Sequence, residues 1–143
     1  MRGAATALIL AALPAWAAAQ DGAEAFASRC AVCHGASGVG QPGFAPPLDR
    51  AVFWEEMGAE APRYVAGVVL AGLSGPITAA GQRYAGLAMP PMPGLDDAEI
   101  AAIGTYVLAT LGGVSRTLDA GTVASVRADP PGHGDLLDIR PEG

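Results

Sequence analysis

The chain of 143 residues contains no lysine, and it has only two cysteines and two histidines. Its eight basic residues are all arginines, and 14 acidic residues bring the net charge to −6. A nucleic-acid-binding protein needs a basic surface that neutralises phosphates, and anionic lipid headgroups repel an acidic chain. The composition therefore excludes nucleic acid as a partner and favours neutral or basic protein surfaces, although acidity also serves solubility.

Aromatic residues make up only 6% of the chain, and no stretch shows the alternating apolar pattern of a β-strand. Glycine and proline are abundant instead, with 20 and 12 residues. This composition is not that of collagen, a coiled coil, a disordered chain or a multi-span membrane protein. We expect one all-α domain of short helices and long ordered loops. A large apolar group at its centre would stabilise such a domain.

The first 19 residues differ in composition from the rest and carry a single charge, Arg2. The apolar run over 4–13, followed by small residues at 17–19, is typical of a signal peptide cleaved near Ala19. Its apolar stretch is shorter than the ~20 residues that span a bilayer, which disfavours an uncleaved membrane anchor. We therefore expect export to the periplasm, and loss of Arg2 changes the net charge from −6 to −7.

Both cysteines lie in one motif, Cys30-Ala31-Val32-Cys33-His34, which is the C-x-x-C-H signature of covalent haem attachment. Two thiols at this spacing reach the two vinyl groups on one edge of a porphyrin and form thioethers. The adjacent imidazole then lies under the ring and binds the iron. The motif predicts one covalently attached haem c.

Three other chemistries use paired cysteines. A redox dithiol prefers a C-x-x-C that begins a helix after a strand, whereas the residues before Cys30 have a helical pattern. A disulfide between residues three apart would close a very small loop and stabilise little. A zinc site needs four ligands, and the chain offers only the two cysteines, His34 and His133.

Apolar spacing and capping residues predict the order of the elements. Helices are expected over residues 21–30, 51–57, 63–73, 97–111 and 120–127, with loops over 35–49 and 74–95. The helix over 97–111 is the strongest, because Asp96 and Glu99 form an acidic variant of a capping box before it. Residues 128–143 are expected to form a loose, flexible tail.

The second loop ends in Met89-Pro90-Pro91-Met92-Pro93. Proline denies helix to this segment and holds it extended, so that a methionine here can be aimed at a fixed point. The commoner role of methionine is to fill gaps in a core. Spacing alone does not choose between the two methionines as a sulfur ligand.

The order helix, C-x-x-C-H, glycine loop, proline loop, helix, methionine loop, helix resembles a class I c-type cytochrome over residues 21–111. It is similar especially to small bacterial monohaem cytochromes that occur alone or fused to quinone-dependent dehydrogenases. The resemblance implies a cytochrome c fold, with three to five helices and long loops wrapped around one haem. The domain would occupy residues 20–127, between the signal peptide at 1–19 and the tail at 128–143.

The resemblance also implies roles for individual residues. Cys30 and Cys33 would hold the thioethers, and His34 and Met89 would bind the iron, because the family pattern places the sulfur ligand directly before Pro90, six residues ahead of Leu95. The carbonyl of Pro46 would accept a hydrogen bond from the other ring nitrogen of His34. The alternatives are Pro47 for this carbonyl, and Met92 or, more distantly, His133 for the sixth ligand. Leu48 would make an apolar contact with the haem.

The expected function is that of a periplasmic single-haem electron carrier rather than an enzyme. Histidine and methionine together would leave no position on the iron open to a substrate. The alternatives are a tightly bound cytochrome subunit of a dehydrogenase or oxidase complex and, less favoured, a haem peroxidase or gas-binding protein. We expect redox-protein partners with a basic docking patch, a monomeric state, and no membrane span after signal cleavage.

Overall fold

Helices form the scaffold of the protein, close to the positions that the apolar spacing predicts. The computed structural model describes residues 15–86 and 88–141. Its helices are α1 (Ala15–Arg29), α2 (Ala31–His34), α3 (Ala51–Met57), α4 (Ala61–Ala71), α5 (Asp97–Thr105), α6 (Ala120–Ala128) and α7 (His133–Asp138). A 3-10 turn, Gly58–Glu60, precedes α4, and a π-helical segment, Tyr106–Leu111, continues α5. The expected all-α class is confirmed, and the five predicted helices correspond to α1, α3, α4, α5 and α6.

Most of the predicted signal peptide lies outside the described residues, which begin at Ala15. Helix α1 also begins there, earlier than the expected start at 21, in an alanine-rich stretch of high helix propensity. Within the described residues, no helix is long and apolar enough to cross a membrane.

Four short strands were not predicted from the sequence. They are β1 (Leu73–Ser74), β2 (Ile77–Ala79), β3 (Gln82–Tyr84) and β4 (Ala88–Met89). Strands β2 and β3 form an antiparallel hairpin, and β1 pairs antiparallel with β4. The hairpin turns at Ala80 and Gly81, which both have positive φ, of 51° and 72°. Elements of two or three residues are too short to show the alternation by which strands are predicted.

Helices α1 and α5 cross at very short distance. A Cβ atom on Gly22 of α1 would collide with the carbonyl oxygen of Ala102 in α5. One turn later, the Phe26 and Tyr106 rings lie 5.4 Å apart between centroids. An ion pair of 3.1 Å between Arg29 and Glu99 extends the contact at the surface. This crossing fixes the orientation of α1, and with it the position of the cysteine motif that follows.

Helix α4 lies in the middle of the core. Pro62 occupies its first turn, where a missing N–H costs nothing, and the helix therefore begins slightly earlier than expected, at Ala61. Buried side chains cover most of its circumference, as predicted; they are Ala61, Tyr64, Val65, Ala66, Val69 and Leu70. Helices α5, α6 and α7 all pack against it.

The expectation of a loose tail over 128–143 is wrong for its described part. Residues 133–138 form α7, whose Leu136 is only 1% exposed. Leu136 and Pro131 fill the space above Gly67 of α4, where a Cβ atom would lie within 2.9 Å of both side chains. The Asp135 carboxylate caps this helix by accepting from the Gly132 N–H at 3.0 Å. Gly67, which is distant in sequence, has no side chain, and this leaves the space in which Leu136 and Pro131 pack.

We expect Gly22→Ala to destabilise the protein, because its methyl group would collide with the backbone of α5 rather than with a movable side chain. Overpacking of this kind costs about 1–3 kcal/mol of unfolding free energy. The matched control is Gly134→Ala in α7, where nothing lies within 4 Å of the added Cβ. Denaturant unfolding of both holoprotein variants checks this, and equal stabilities would contradict the close crossing.

We expect Leu136→Ala to lower the unfolding free energy by about 2–5 kcal/mol, as truncation of a fully buried leucine does. The control, Ile139→Ala, removes a side chain that is 43% exposed and should have little effect. Thermal unfolding of the two variants provides the comparison. If both behaved like the unaltered protein, the C-terminal helix would not be part of the folded core.

Candidate haem site

A largely apolar cavity of about 340 Å³ lies between the cysteine motif, the two long loops and helix α4. This volume falls within the range of small-molecule and cofactor sites. All the residues predicted to contact the haem line the cavity: Cys30, Cys33, His34, Pro46, Leu48 and Met89. His133 lies elsewhere, in α7, where its Nδ1 accepts a hydrogen bond from the Ser74 N–H at 3.2 Å.

One helical turn brings the three motif side chains to the same cavity. The Cys33 and His34 N–H groups both donate to the Cys30 carbonyl, at 3.2 and 3.0 Å. Both cysteines are free thiols, and burial raises the pKa of Cys30 to about 11. A redox-active cysteine requires a lowered pKa, so that its thiolate is available. The buried Cys30 thiol therefore lacks this property of a dithiol oxidoreductase.

The zinc alternative finds no further ligands around the motif. Among residues 15–86 and 88–141, no group of three or more His, Cys, Asp or Glu side chains is arranged to hold a metal ion. The second histidine is already engaged with Ser74. Within this described part of the chain, the paired thiols and His34 therefore lack the ligand arrangement that structural zinc requires.

His34 is held in one orientation by the proline loop. Its Nδ1 lies 2.9 Å from the Pro46 carbonyl oxygen, to which a protonated Nδ1 donates. The side chain is 8% exposed, and this burial lowers the pKa of the imidazole, while the bond to Pro46 acts in the opposite direction. A neutral ring that donates from Nδ1 keeps Nε2 unprotonated, which is the form that binds a metal. The structure brings Pro46, rather than Pro47, to this position.

The loop that carries Pro46 is shaped by glycine and by one amide side chain. Gly40 has a φ of 72°, and a Cβ atom there would lie 2.6 Å from the Ala45 carbonyl oxygen. The Gln41 side chain donates to the carbonyls of Val32 and Cys33, at 3.0 and 2.9 Å, which ties the loop to the motif. Sequence reasoning missed Gln41, because a single amide in a glycine–proline loop has no distinctive spacing.

Leu48 has a backbone role as well as an apolar side chain at the cavity. Its carbonyl accepts a hydrogen bond from the Trp54 indole at 2.7 Å, and its N–H donates to the Gly38 carbonyl at 2.6 Å. These bonds join the end of the loop to α3 and to its own beginning. They fix the wall of the cavity on the side of Pro46.

Both candidate methionines line the cavity, and both are half-buried. Met89 lies in β4 opposite Leu73 of β1, whereas Met92 donates its N–H to the Val69 carbonyl at 2.8 Å. Gly72, with a φ of 75°, makes the first arrangement possible, because a Cβ atom there would lie 2.6 Å from the Met89 carbonyl oxygen. The methionine loop is thus fixed to α4 and β1 at two points.

The residues present fit a covalently attached haem. Two free thiols at the edge of the cavity can form thioethers, an imidazole is oriented for iron, and a thioether sulfur is available from the opposite loop. The remaining wall is made mainly of apolar core side chains, among them Phe26, Trp54, Val65, Val69 and Ile103. Such a wall excludes water from a large flat apolar group.

Comparison with known proteins agrees with this site. The profile of the cytochrome c family matches residues 19–110. Two proteins from Thermus thermophilus, both named cytochrome c-552, are each 38% identical to the chain over 95 residues. Each match covers 64% of this chain, and they cover 69% and 61% of the two relatives.

The region matched by the family profile contains the C-x-x-C-H motif, both cavity loops and helix α5. The predicted cofactor, a covalently attached haem c with its iron, follows from this match. The chain therefore belongs to the cytochrome c family and is a monohaem electron-transfer protein.

Proposed function

We propose that the protein is a periplasmic electron carrier in which Cys30 and Cys33 bind the haem covalently and His34 and Met89 are the axial ligands of the iron. The observation that carries this proposal is the 2.9 Å contact between His34 Nδ1 and the Pro46 carbonyl. It orients a neutral imidazole in a cavity that Met89 also lines. A metal-binding histidine characteristically donates its other ring nitrogen to such a partner.

When bound, the haem supplies a one-electron redox couple at its iron. The residues of this chain set the conditions for that couple. The apolar wall disfavours the additional positive charge of the ferric state, and a methionine ligand raises the potential further. With two protein ligands, no coordination position remains for a substrate, so the protein transfers electrons and makes no bonds.

The alternatives differ in testable ways. A haem peroxidase or gas-binding protein needs one open iron face, which axial ligation by both His34 and Met89 would remove. A permanent subunit of a dehydrogenase or oxidase complex would use the same haem chemistry and would purify together with a larger enzyme. The composition of residues 1–19 supports export, and covalent attachment suits an exported protein because its cofactor cannot be lost by dilution.

The choice of Met89 over Met92 is the sharpest test of the proposed ligation. We expect Met89→Ala to abolish the weak long-wavelength absorption band of ferric haem with sulfur ligation, to lower the midpoint potential and to let added ligands bind the iron. Met92→Ala is the matched control, because it removes the same side chain from the same loop. It should keep the band and only weaken packing.

Optical spectra of the two oxidised variants decide the assignment. Loss of the band in Met92→Ala with retention in Met89→Ala would show that the other methionine is the ligand. Retention in both variants would overturn axial ligation by this loop.

The proposed partner carries a basic docking patch, since this chain has a net charge of −6 as written and −7 without Arg2. Opposite charges accelerate encounter, and salt screens them over about 10 Å at 0.1 M ionic strength. We expect the second-order rate of electron transfer to the physiological partner to fall as ionic strength rises. An uncharged small-molecule reductant serves as the control and should react at a nearly constant rate. A partner rate that does not respond to salt would mean that the acidity serves solubility alone.

A further inference from the structure

The C-terminal segment over 130–141 lies beyond residues 19–110, which match the family, yet it contributes a side chain to the haem cavity. That side chain is Arg140, two residues after the end of α7. The cavity wall is therefore completed by a part of the chain that the family profile does not include.

The segment is fixed to the rest of the protein at three points. Leu136 packs above Gly67 of α4, and Leu137 lies over Gly75, where a Cβ atom would be 2.8 Å from its Cδ1. His133 accepts from the Ser74 N–H. These contacts hold the segment against α4 and the start of the methionine loop. The backbone of Arg140 is therefore positioned by its neighbours and not only by the contacts of its own side chain.

Arg140 meets a second arginine at one aromatic ring. The guanidinium carbons of Arg140 and Arg50 lie 4.9 and 4.7 Å from the centre of the Phe53 ring. Arg140 also donates a hydrogen bond to the hydroxyl of Tyr64, a residue that is 4% exposed. Within residues 15–86 and 88–141, neither arginine forms a salt bridge.

The charge of the cavity wall is entirely positive. Three arginines line it, and no aspartate or glutamate does so among the described residues. Arg29 is paired with Glu99, which leaves Arg50 and Arg140. Burial and the charge of Arg140 lower the pKa of Arg50, whereas Glu56 and Tyr84 act in the opposite direction. The two cations therefore repel each other at this wall, and an anion between them would relieve the repulsion.

We propose that residues 130–141 form a strap that packs on α4 and carries Arg140 to the haem cavity, and that Arg140 and Arg50 together bind the carboxylates of the haem propionates. The inference rests on the covalent haem of the proposed function. Carboxylates are the anions that the occupant of this cavity brings with it. A planar guanidinium pairs with a carboxylate more strongly than neutral donors do, and exclusion of water strengthens the pairing.

This pairing has two consequences for the redox couple. The ionised form of each propionate is stabilised, so its pKa stays well below neutrality and the midpoint potential is independent of pH around pH 7. The two positive charges also disfavour the ferric state, which raises the midpoint potential. Loss of either arginine should raise the propionate pKa and lower the potential, and the potential should then fall as pH rises through the new pKa.

The test is the midpoint potential of the holoprotein, measured by redox titration from pH 5 to pH 9. We expect Arg140→Gln and Arg50→Gln to lower the potential and to make it depend on pH, while the unaltered protein stays flat around neutrality. The matched control is Arg63→Gln, an arginine of α4 that does not line the cavity. It removes the same charge and should leave the flat profile in place.

Two further measurements separate a binding role from a purely structural one. Tyr64→Phe removes the hydroxyl that holds Arg140 but keeps both charges, so it should lower thermal stability with little effect on the pH profile. Titration of the unaltered protein with phosphate tests whether the two arginines take an external anion instead, which would shift the potential as phosphate rises. An unchanged potential and pH profile in both arginine variants, or a phosphate-dependent potential in the unaltered protein, would overturn the proposal.

These outcomes are distinct from failure of the proposed function. If neither methionine were an axial ligand, the long-wavelength band of the ferric protein would be absent before any arginine was changed, and if Met92 were the ligand, the band would be lost in Met92→Ala instead of Met89→Ala. If only the strap proposal is wrong, that band is present in every arginine variant and the potentials match the control.

Discussion

The hydrogen bond from His34 to the Pro46 carbonyl is the interaction on which the rest of the site depends. For this bond to form, the loop that leaves the motif at His34 must fold back so that Pro46 contacts the His34 ring. Two residues of the loop make this possible. Gly40 turns the chain where a side chain would collide, and the Gln41 amide joins the loop to the motif backbone. A ring fixed in this way presents one nitrogen to iron without a search for its orientation, which favours binding.

The cavity and the hydrophobic core are built from the same residues. Phe26, Val65, Val69, Ile103 and Val107 belong to the core cluster and also line the cavity. For a chain rich in glycine and proline, the apolar surface buried among helices alone is limited. A haem in this position acts as the largest apolar group of the interior. Because it binds the folded chain, it stabilises that state, and covalent attachment prevents its loss.

The features that could be predicted are those with a local cause. Asp96 caps α5, accepting from the Glu99 N–H at 2.7 Å, and the C-x-x-C-H spacing carries its own chemistry. The other half of the expected capping box is replaced, since Glu99 pairs with Arg29 instead. The features that sequence reasoning missed have distant causes. Residues 128–141 are ordered because Gly67 leaves room for Leu136, and Arg140 reaches the cavity through that packing. No pattern within the tail itself records these contacts.

The pairing of β1 with β4 has a consequence for the speed of electron transfer. Strand β4 holds the backbone of Met89 against Leu73, and Gly72 allows its carbonyl to approach closely. If Met89 is the axial ligand, as proposed, this pairing restrains its backbone when the iron changes its charge. A restrained ligand in an apolar wall would lower the reorganisation energy of the proposed site, because less of the surroundings would rearrange around the new charge. A β-strand too short to predict would thus keep the barrier to each electron transfer low.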